Sequence, residues 1–435
     1  MSLLAATTFT EENFASSVPA GGASWLVAAV FWFWGLVLAT ILVLFAFRAF
    51  MIFVGHRRQG QYAMKLFLLA VPKFRSEEET SKQVTKEQKN EAIAVAESLF
   101  ASIGGIKHQH GFFAWLFGRD DHFSFEIVCH QKLIKFYIAA PVRFAELIEQ
   151  QILAQYPDAH IEETEDYNLF TPTGVILGAY LQFARPVGFP IRTYKDIESD
   201  PMSAITNTFS KIEEGEGTAV QYIVRTAKPS WRDEGLAIAR RIQSGMSLAE
   251  ALAGKKKNER GLLDDLRTKE EVQKRQSTRD EHRLSPQEEE TVKRIEEKAS
   301  KSGMEVNIRI VVSAAAGARA EAILQNTVNA FSQFNIYEYG NKFERAIPHS
   351  KKRVIRKFIF RDWEGGQRVV FNTQEMASLW HPPLPWTDTP NIYWLRARRA
   401  PAPINTPIEG LFLGNNIYRG GTKPVFIKTA WPVRD

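Results

Sequence analysis

The spacing of hydrophobic positions changes several times along the chain, and each change marks an element. Residues 25–47 are predominantly apolar and carry no charge. At 1.5 Å per residue such a run crosses about 30 Å of hydrocarbon, so a transmembrane helix is predicted there. Shorter patterns follow it. MKLFLLAVP (64–72) reads as a strand, and 86–103, with Ile93, Ala96, Leu99, Phe100 and Ile103 at helical spacing, reads as a helix. HFSFEIVCH (122–130) and KLIKFYIAAP (132–141) read as strands joined by a tight turn, 142–156 as a helix stopped by Pro157, and 159–165 as a closing strand.

This β-α-β-β-α-β order is the ferredoxin-like plan, and it returns. A strand at 174–185, a helix at 200–212 and a strand at 217–227 come first, with Asp200 placed to cap the helix and Pro201 at its first position. After a long interruption come a strand at 304–314, a helix at 317–334 and the strand NIYEYG at 335–340. The expected fold is therefore α+β, beginning with an extracytoplasmic tail at 1–24 and the transmembrane helix at 25–47. Ferredoxin-like domains follow at 60–168 and 172–340, the second split by a helical insertion at 230–303, and a small basic β-rich region closes the chain at 341–435.

Charge sharpens two of these assignments. Between 255 and 301 there are 14 Lys and Arg and 12 Asp and Glu, too many for a core of their own, so exposed helices are expected there. They form an arm broken near Ser285 and Pro286, either solvated or holding a partner as a coiled coil, and the balanced charge argues against nucleic acid. The formal charge of the whole chain is +6, yet 341–435 alone holds 16 basic against 7 acidic residues, so the basic character is local. Within it, HSKKRVIRKFIFRDW (349–363) alternates charge with Val354, Ile355, Phe358 and Phe360 and reads as an edge strand guarded by lysines. Lys351, Lys352, Arg353, Arg356 and Lys357 would then be free to meet a partner or phosphate, from anionic lipid or nucleic acid.

Charge also orients the anchor. The first 24 residues contain Glu11 and Glu12 and no Lys or Arg, whereas Arg48, Arg57, Arg58, Lys65 and Lys73 follow the apolar run. By the positive-inside rule the N-terminus lies outside and the body in the cytoplasm, giving a single-pass protein of the inner membrane. A cleaved signal peptide has its basic residues ahead of the apolar run, the opposite order. Trp25, Trp32 and Trp34 cluster toward the outer half, and Phe47 and Arg48 mark the inner end. Cys129 is the only cysteine, which excludes an internal disulfide and fits a reducing compartment and a small buried hydrophobe.

Few residues suggest chemistry. The stretch GNNIYRGGTKPV (414–425) mixes glycines with a lysine, but the lysine follows Thr422 rather than a glycine, and Pro424 removes a donor where a phosphate-binding helix would start. It is not a Walker loop, and no GxxxxGK[ST] occurs elsewhere. His108, His110 and His122 stand close in sequence, but the segment from 104 to 122 reads as a mobile or interfacial loop rather than a metal site, and its FFAWLFG (112–118) could rest on lipid. Paired acids such as Asp120 with Asp121 and Asp264 with Asp265 read as solvated. No catalytic residue, cofactor or metal is expected, and the chain is not read as an enzyme.

The block FNTQEMASLWHPP (371–383), followed by TPNIYWL (389–395), RRAPAPINTP (398–407) and EGLFLGNNIYRGGTKPVFI (409–427), resembles the region just ahead of the motor domain in HerA/TraC-like conjugation ATPases of type IV secretion systems. FEIV, KFYIAAP, IEQQILAQYPDAHIEETEDY and DPMSAITNTFSKIEEGEG resemble the membrane-anchored N-terminal region that accompanies those ATPases, a domain of unassigned function. The motor's own Walker loop, catalytic acid and arginine finger have no counterpart here. The resemblance therefore implies a non-enzymatic adaptor on which a separately encoded P-loop ATPase docks, with Trp380, His381, Pro382, Gly414 and Asn415 at the junction. A homo-oligomer is a further expectation. The alternative is a binding module that acts alone on anionic lipid or nucleic acid.

Overall fold

The computed structural model describes residues 22–58, 64–73, 84–107, 109, 111–117, 119, 121–171, 174–253, 284–348, 350–395, 400–418 and 421–428. The chain divides into two compact units, Met1–Arg58 with His110–Arg119, and Gln59–Gln109 with Asp120–Asp435.

In the first unit a helix, α1 (Gly22–Arg58), contains a stretch, Val27–Phe50, of mean hydropathy 2.5 that is not buried. It is long and apolar enough to cross a membrane or to act as a signal sequence. Trp25, Trp32, Trp34 and Phe47 are all exposed on it.

The second unit is a mixed α+β body built on one large antiparallel sheet. Its strands and helices are β1 (Met64–Ala70), α2 (Lys86–Gly104), β2 (His122–His130), β3 (Leu133–Pro141), α4 (Val142–Gln155) and β4 (His160–Thr164), with α3 (Phe112–Phe117) belonging to the first unit. They continue with β5 (Val175–Phe183), α5 (Pro201–Phe209), β6 (Gly217–Thr226), α6 (Ser230–Gln243), α7 (Leu248–Ala253), α8 (Pro286–Ala299), β7 (Gly303–Ala314), α9 (Gly317–Ala330) and β8 (Phe343–Ala346). The last are α10 (Lys351–Ile359), β9 (Val369–Asn372), α11 (Thr373–Leu379), β10 (Leu411–Tyr418) and β11 (Gly421–Ile427). The sheet order is β4-β1-β3-β2-β6-β7-β5-β8, with β9 on β7. Each half therefore runs fourth, first, third, second in its own chain order, and the halves meet where β2 pairs β6 from His122↔Arg225 to His130↔Gly217. The β2–β3 hairpin turns on Gln131 and Lys132, both left-handed (φ 50° and 61°), as a two-residue turn matching strand twist requires.

One sheet face is apolar and carries the helices. Phe125, Ile127, Val220, Tyr222, Ile308 and Ile310 form one core with Leu99 and Phe100 of α2, Ile148 of α4, Phe209 of α5 and Leu324 of α9. Trp380, just after α11, lies within it, edge-on to Phe125 at 4.8 Å between ring centres. The other face is covered by α10, whose Val354 and Phe358 pack with Tyr137, Tyr180 and Val311. Gly178 of β5 makes room for that helix, because a Cβ there would come within 2.9 Å of Val354 Cγ1.

Several expectations need correction. The basic stretch around 351–359 is a helix, not an edge strand: Ser350 accepts the Arg353 amide at 3.4 Å, and Val354 and Phe358 are one helical turn apart, so the apolar positions suit a helix as well as a strand. The closing strand of the second half is β8 rather than 335–340. Asn335 accepts the Phe343 amide and Asn341 accepts the Arg185 amide, which holds 337–340 in a turn and leaves Tyr337 exposed. The region 341–435 contains α10 and α11 besides its strands, the second started by a capping box between Asn372 and Glu375. The charged insertion also has a core after all. Ile238 and Ile242 of α6 pack with Val292 and Ile295 of α8 around Phe189, and Ser285 with Pro286 starts α8. Residues 254–283 of the expected arm lie outside the described residues.

Candidate functional site

Charged and polar side chains on the face beneath α10 form a continuous row. Tyr180, Arg309, Gln221 and Glu126 stand directly opposite one another on β5, β7, β6 and β2. Arg361, whose left-handed backbone (φ 54°) turns the chain back after α10, reaches down to this row. Its guanidinium donates to both Glu126 oxygens at 2.8 and 3.2 Å and to Asp166 at 2.8 and 3.2 Å. Ser124, Tyr167 and Gln221 donate to the same Glu126 carboxylate at 2.5, 2.8 and 2.9 Å. Burial alone would raise the Glu126 carboxyl, but the Arg361 charge and these donors outweigh it and hold the group below the usual carboxylate range. Arg309 donates to Gln221 at 2.8 Å and to the carbonyls of Lys357 and Asp362. The row thus fastens α10 and its following loop to the sheet.

A second polar cluster lies under the segment after α11. Asp200 caps α5 through the Met202 amide at 2.8 Å, accepts from Thr387 at 3.2 Å and faces His381 Nε2 at 3.2 Å. Burial tends to raise the Asp200 carboxyl, and the facing His381 ring and the donors leave it lowered. Nearby, α8 is tied by Lys298, 1 % exposed, which pairs with Glu375 at 3.0 Å and donates to the carbonyls of Phe189 and Val370. Burial lowers the Lys298 ammonium, an effect Glu375 offsets only in part.

The residues singled out from the sequence are scattered. Trp380, His381 and Pro382, expected at a junction with a partner, are buried instead, because α11 inserts this segment into the core; Gly414 and Asn415 stand apart from them on β10. Of the basic positions on α10, Lys351, Lys352, Arg353 and Arg356 are exposed, and Arg353 forks onto Glu364 at 2.9 and 3.0 Å. Lys357 is buried with its ammonium on the Trp363 carbonyl at 2.9 Å, so this position cannot meet phosphate. His108 and His110 lie outside the described residues. His122 is buried, 3.0 Å from the Arg361 carbonyl, and its pKa is lowered to about 4 by burial and the nearby Arg225 charge. Cys129 is buried on β2, which pushes its thiol up to about 12. Among the described residues no group of three His, Cys, Asp or Glu side chains could hold a metal ion.

Exposed apolar side chains stand together on β10 and β11. Among the described residues β10 and β11 pair only with each other, with a bulge between Phe412 and Gly414 at the left-handed Gly414 (φ 151°). Phe412 and Phe426 contact across the strands at 5.6 Å, yet Phe412 is 54 % exposed and Ile417 68 %, and Leu411, Leu413 and Ile427 are exposed as well. A lone two-stranded ribbon is at best marginally stable in water, and one with this much exposed apolar surface has the character of half an interface. Its charges are of one sign, since 411–428 contains Arg419, Lys423 and Lys428 and no acid. The glycines and the lysine are the most conspicuous sequence features of this stretch, whereas its exposed apolar side chains, Leu411, Phe412, Leu413 and Ile417, are marked in the sequence only by short apolar runs.

The chain belongs to a family described as a domain of unknown function, DUF8128, matched over residues 70–395. The apolar helix α1 precedes the matched region and the β10–β11 hairpin follows it. No curated protein matches the chain.

Proposed function

We propose that this protein is a non-enzymatic, membrane-anchored adaptor that docks a separately encoded P-loop ATPase of the type IV secretion and conjugation kind. In this reading α1 is a single-pass anchor in the inner membrane with its N-terminus outside, and each half of the sheet body is a ferredoxin-like unit, supported by the fourth-first-third-second strand order. The hairpin carries the proposal. It offers the partner an exposed apolar ribbon with cationic edges, which favours an apolar surface ringed by carboxylates over a second cationic hairpin. The likeness of 371–427 to the pre-motor region of those ATPases names the class of partner. The alternative reading, an anchored module for anionic lipid or nucleic acid, loses support on α10, where Arg353 and Lys357 are engaged by the protein itself.

The test is co-purification in detergent of the full chain with the P-loop ATPase encoded beside it. The expected result is a complex from the wild-type chain and at least tenfold less ATPase with Phe412→Ser/Ile417→Ser, at unchanged thermal stability. Equal recovery with both chains would remove the hairpin as the docking site.

A further inference from the structure

The short helix α3 (Phe112–Phe117) packs directly on the apolar helix α1 within the first unit. Trp115 meets Phe45 edge-on at 5.6 Å, the Arg48 guanidinium sits 4.7 Å over the indole ring, and Arg48 also donates to the Trp115 carbonyl. Phe112 stacks on Trp115 at 5.9 Å, and both remain substantially exposed, at 54 % and 37 %. The six residues FFAWLF contain no charge. At the foot of this excursion the Gln109 amide donates to Asp121 at 3.1 Å, so the segment leaves and re-enters the sheet body at one place.

Depth along α1 decides what covers these rings. The Val27–Phe50 stretch has 24 residues and is about 36 Å long, a few ångströms more than the roughly 30 Å of hydrocarbon at either end. Centred in a bilayer, it places Phe45 just inside the hydrocarbon and Arg48 at the boundary with the headgroups. An indole held between those two side chains lies where tryptophan partitions best, and an arginine at that level extends its charge toward lipid phosphate. We infer that α3 is an interfacial membrane element: Phe112 and Trp115 are immersed at the boundary of the bilayer that α1 crosses, giving the chain a second point of attachment to lipid. This rests on the reading of α1 as a transmembrane anchor, and it is distinct from the hairpin and its partner.

The test uses the full chain with Cys129→Ala, reconstituted in nanodiscs of phosphatidylcholine and phosphatidylglycerol and labelled with an environment-sensitive fluorophore at one introduced cysteine. Phe112→Cys probes α3, Leu36→Cys probes the anchor and Tyr337→Cys reports an exposed turn of the body. The expected result at position 112 is quenching by lipids spin-labelled near the headgroup at least threefold stronger than at 337, with matching protection from aqueous iodide. Ala114→Cys on the same helix, repeated in the same way, guards against an effect of replacing Phe112. If 36 is quenched from the acyl chains while 112 and 114 respond to iodide like 337, the inference about α3 fails and the anchor stands. Protection of 112 from both quenchers would assign the surface to another protein copy and overturn the inference. If 36 also escapes lipid quenching, the anchor itself fails and the inference goes with it.

Discussion

Glu126 and Arg361 are 235 positions apart in the chain and form a buried pair at 2.8 Å. Two fully desolvated charges add little beyond a well-packed apolar pair, but removing one of them strands the other. Glu126→Gln should therefore cost about 3 kcal/mol, because Arg361 keeps Asp166 as a partner, and Arg361→Gln should cost about the same. The double variant should lose less than the sum of the two, and thermal melts of the four proteins measure this coupling. His122 predicts a pH effect of definite sign. Its pKa falls from 6.5 to about 4 on folding, so between those values the unfolded chain binds a proton that the folded chain does not. Its contribution, about 3 kcal/mol at most, is complete above pH 6.5 and is lost as pH falls toward 4. His122→Gln should flatten the decline of the melting temperature across that window. None of these three roles could be read from the sequence. The alternation in FSFEIVC puts Ser124 and Glu126 on one sheet face, but their partner Arg361 stands in a run of basic residues where nothing marks it as buried.

Elements were legible wherever local pattern decides them. The short apolar runs mark β1, β2, β3, β5, β6 and β7 nearly to the residue, and Asp200 with Pro201 fixes the start of α5. Errors arose where distant contacts choose between two local solutions. Val354, Ile355, Phe358 and Phe360 fit either a strand or a helix, and the sheet face waiting beneath them selects α10. Gly178 lies below that helix, so Gly178→Ala is expected to force Val354 aside and destabilise the body by about 1–3 kcal/mol. Val354→Ala in the same chain should recover part of the loss in a thermal melt, as a contact-specific clash requires. The closing strand shifted from 335–340 to β8 for a similar reason, since the side chains of Asn335 and Asn341 impose a turn that apolar spacing does not reveal.

At the scale of the whole molecule, buried charges are paired within the sheet body, and α1, α3 and the β10–β11 hairpin each group several exposed apolar side chains. The repeated β-α-β-β-α-β order was visible in the sequence, whereas the joining of both halves into one sheet through β2 and β6 was not, because strand edges carry no pattern of their own partners. The central claim is that the hairpin holds a motor ATPase. It is tested most directly by placing a photo-crosslinking amino acid at Ile417 in the full chain, irradiating intact cells and identifying the adduct by mass spectrometry. The account predicts a P-loop ATPase joined at 417, and no such adduct when the same amino acid replaces Tyr337. An adduct at 417 only with a second copy of this chain, or only with lipid, would contradict it.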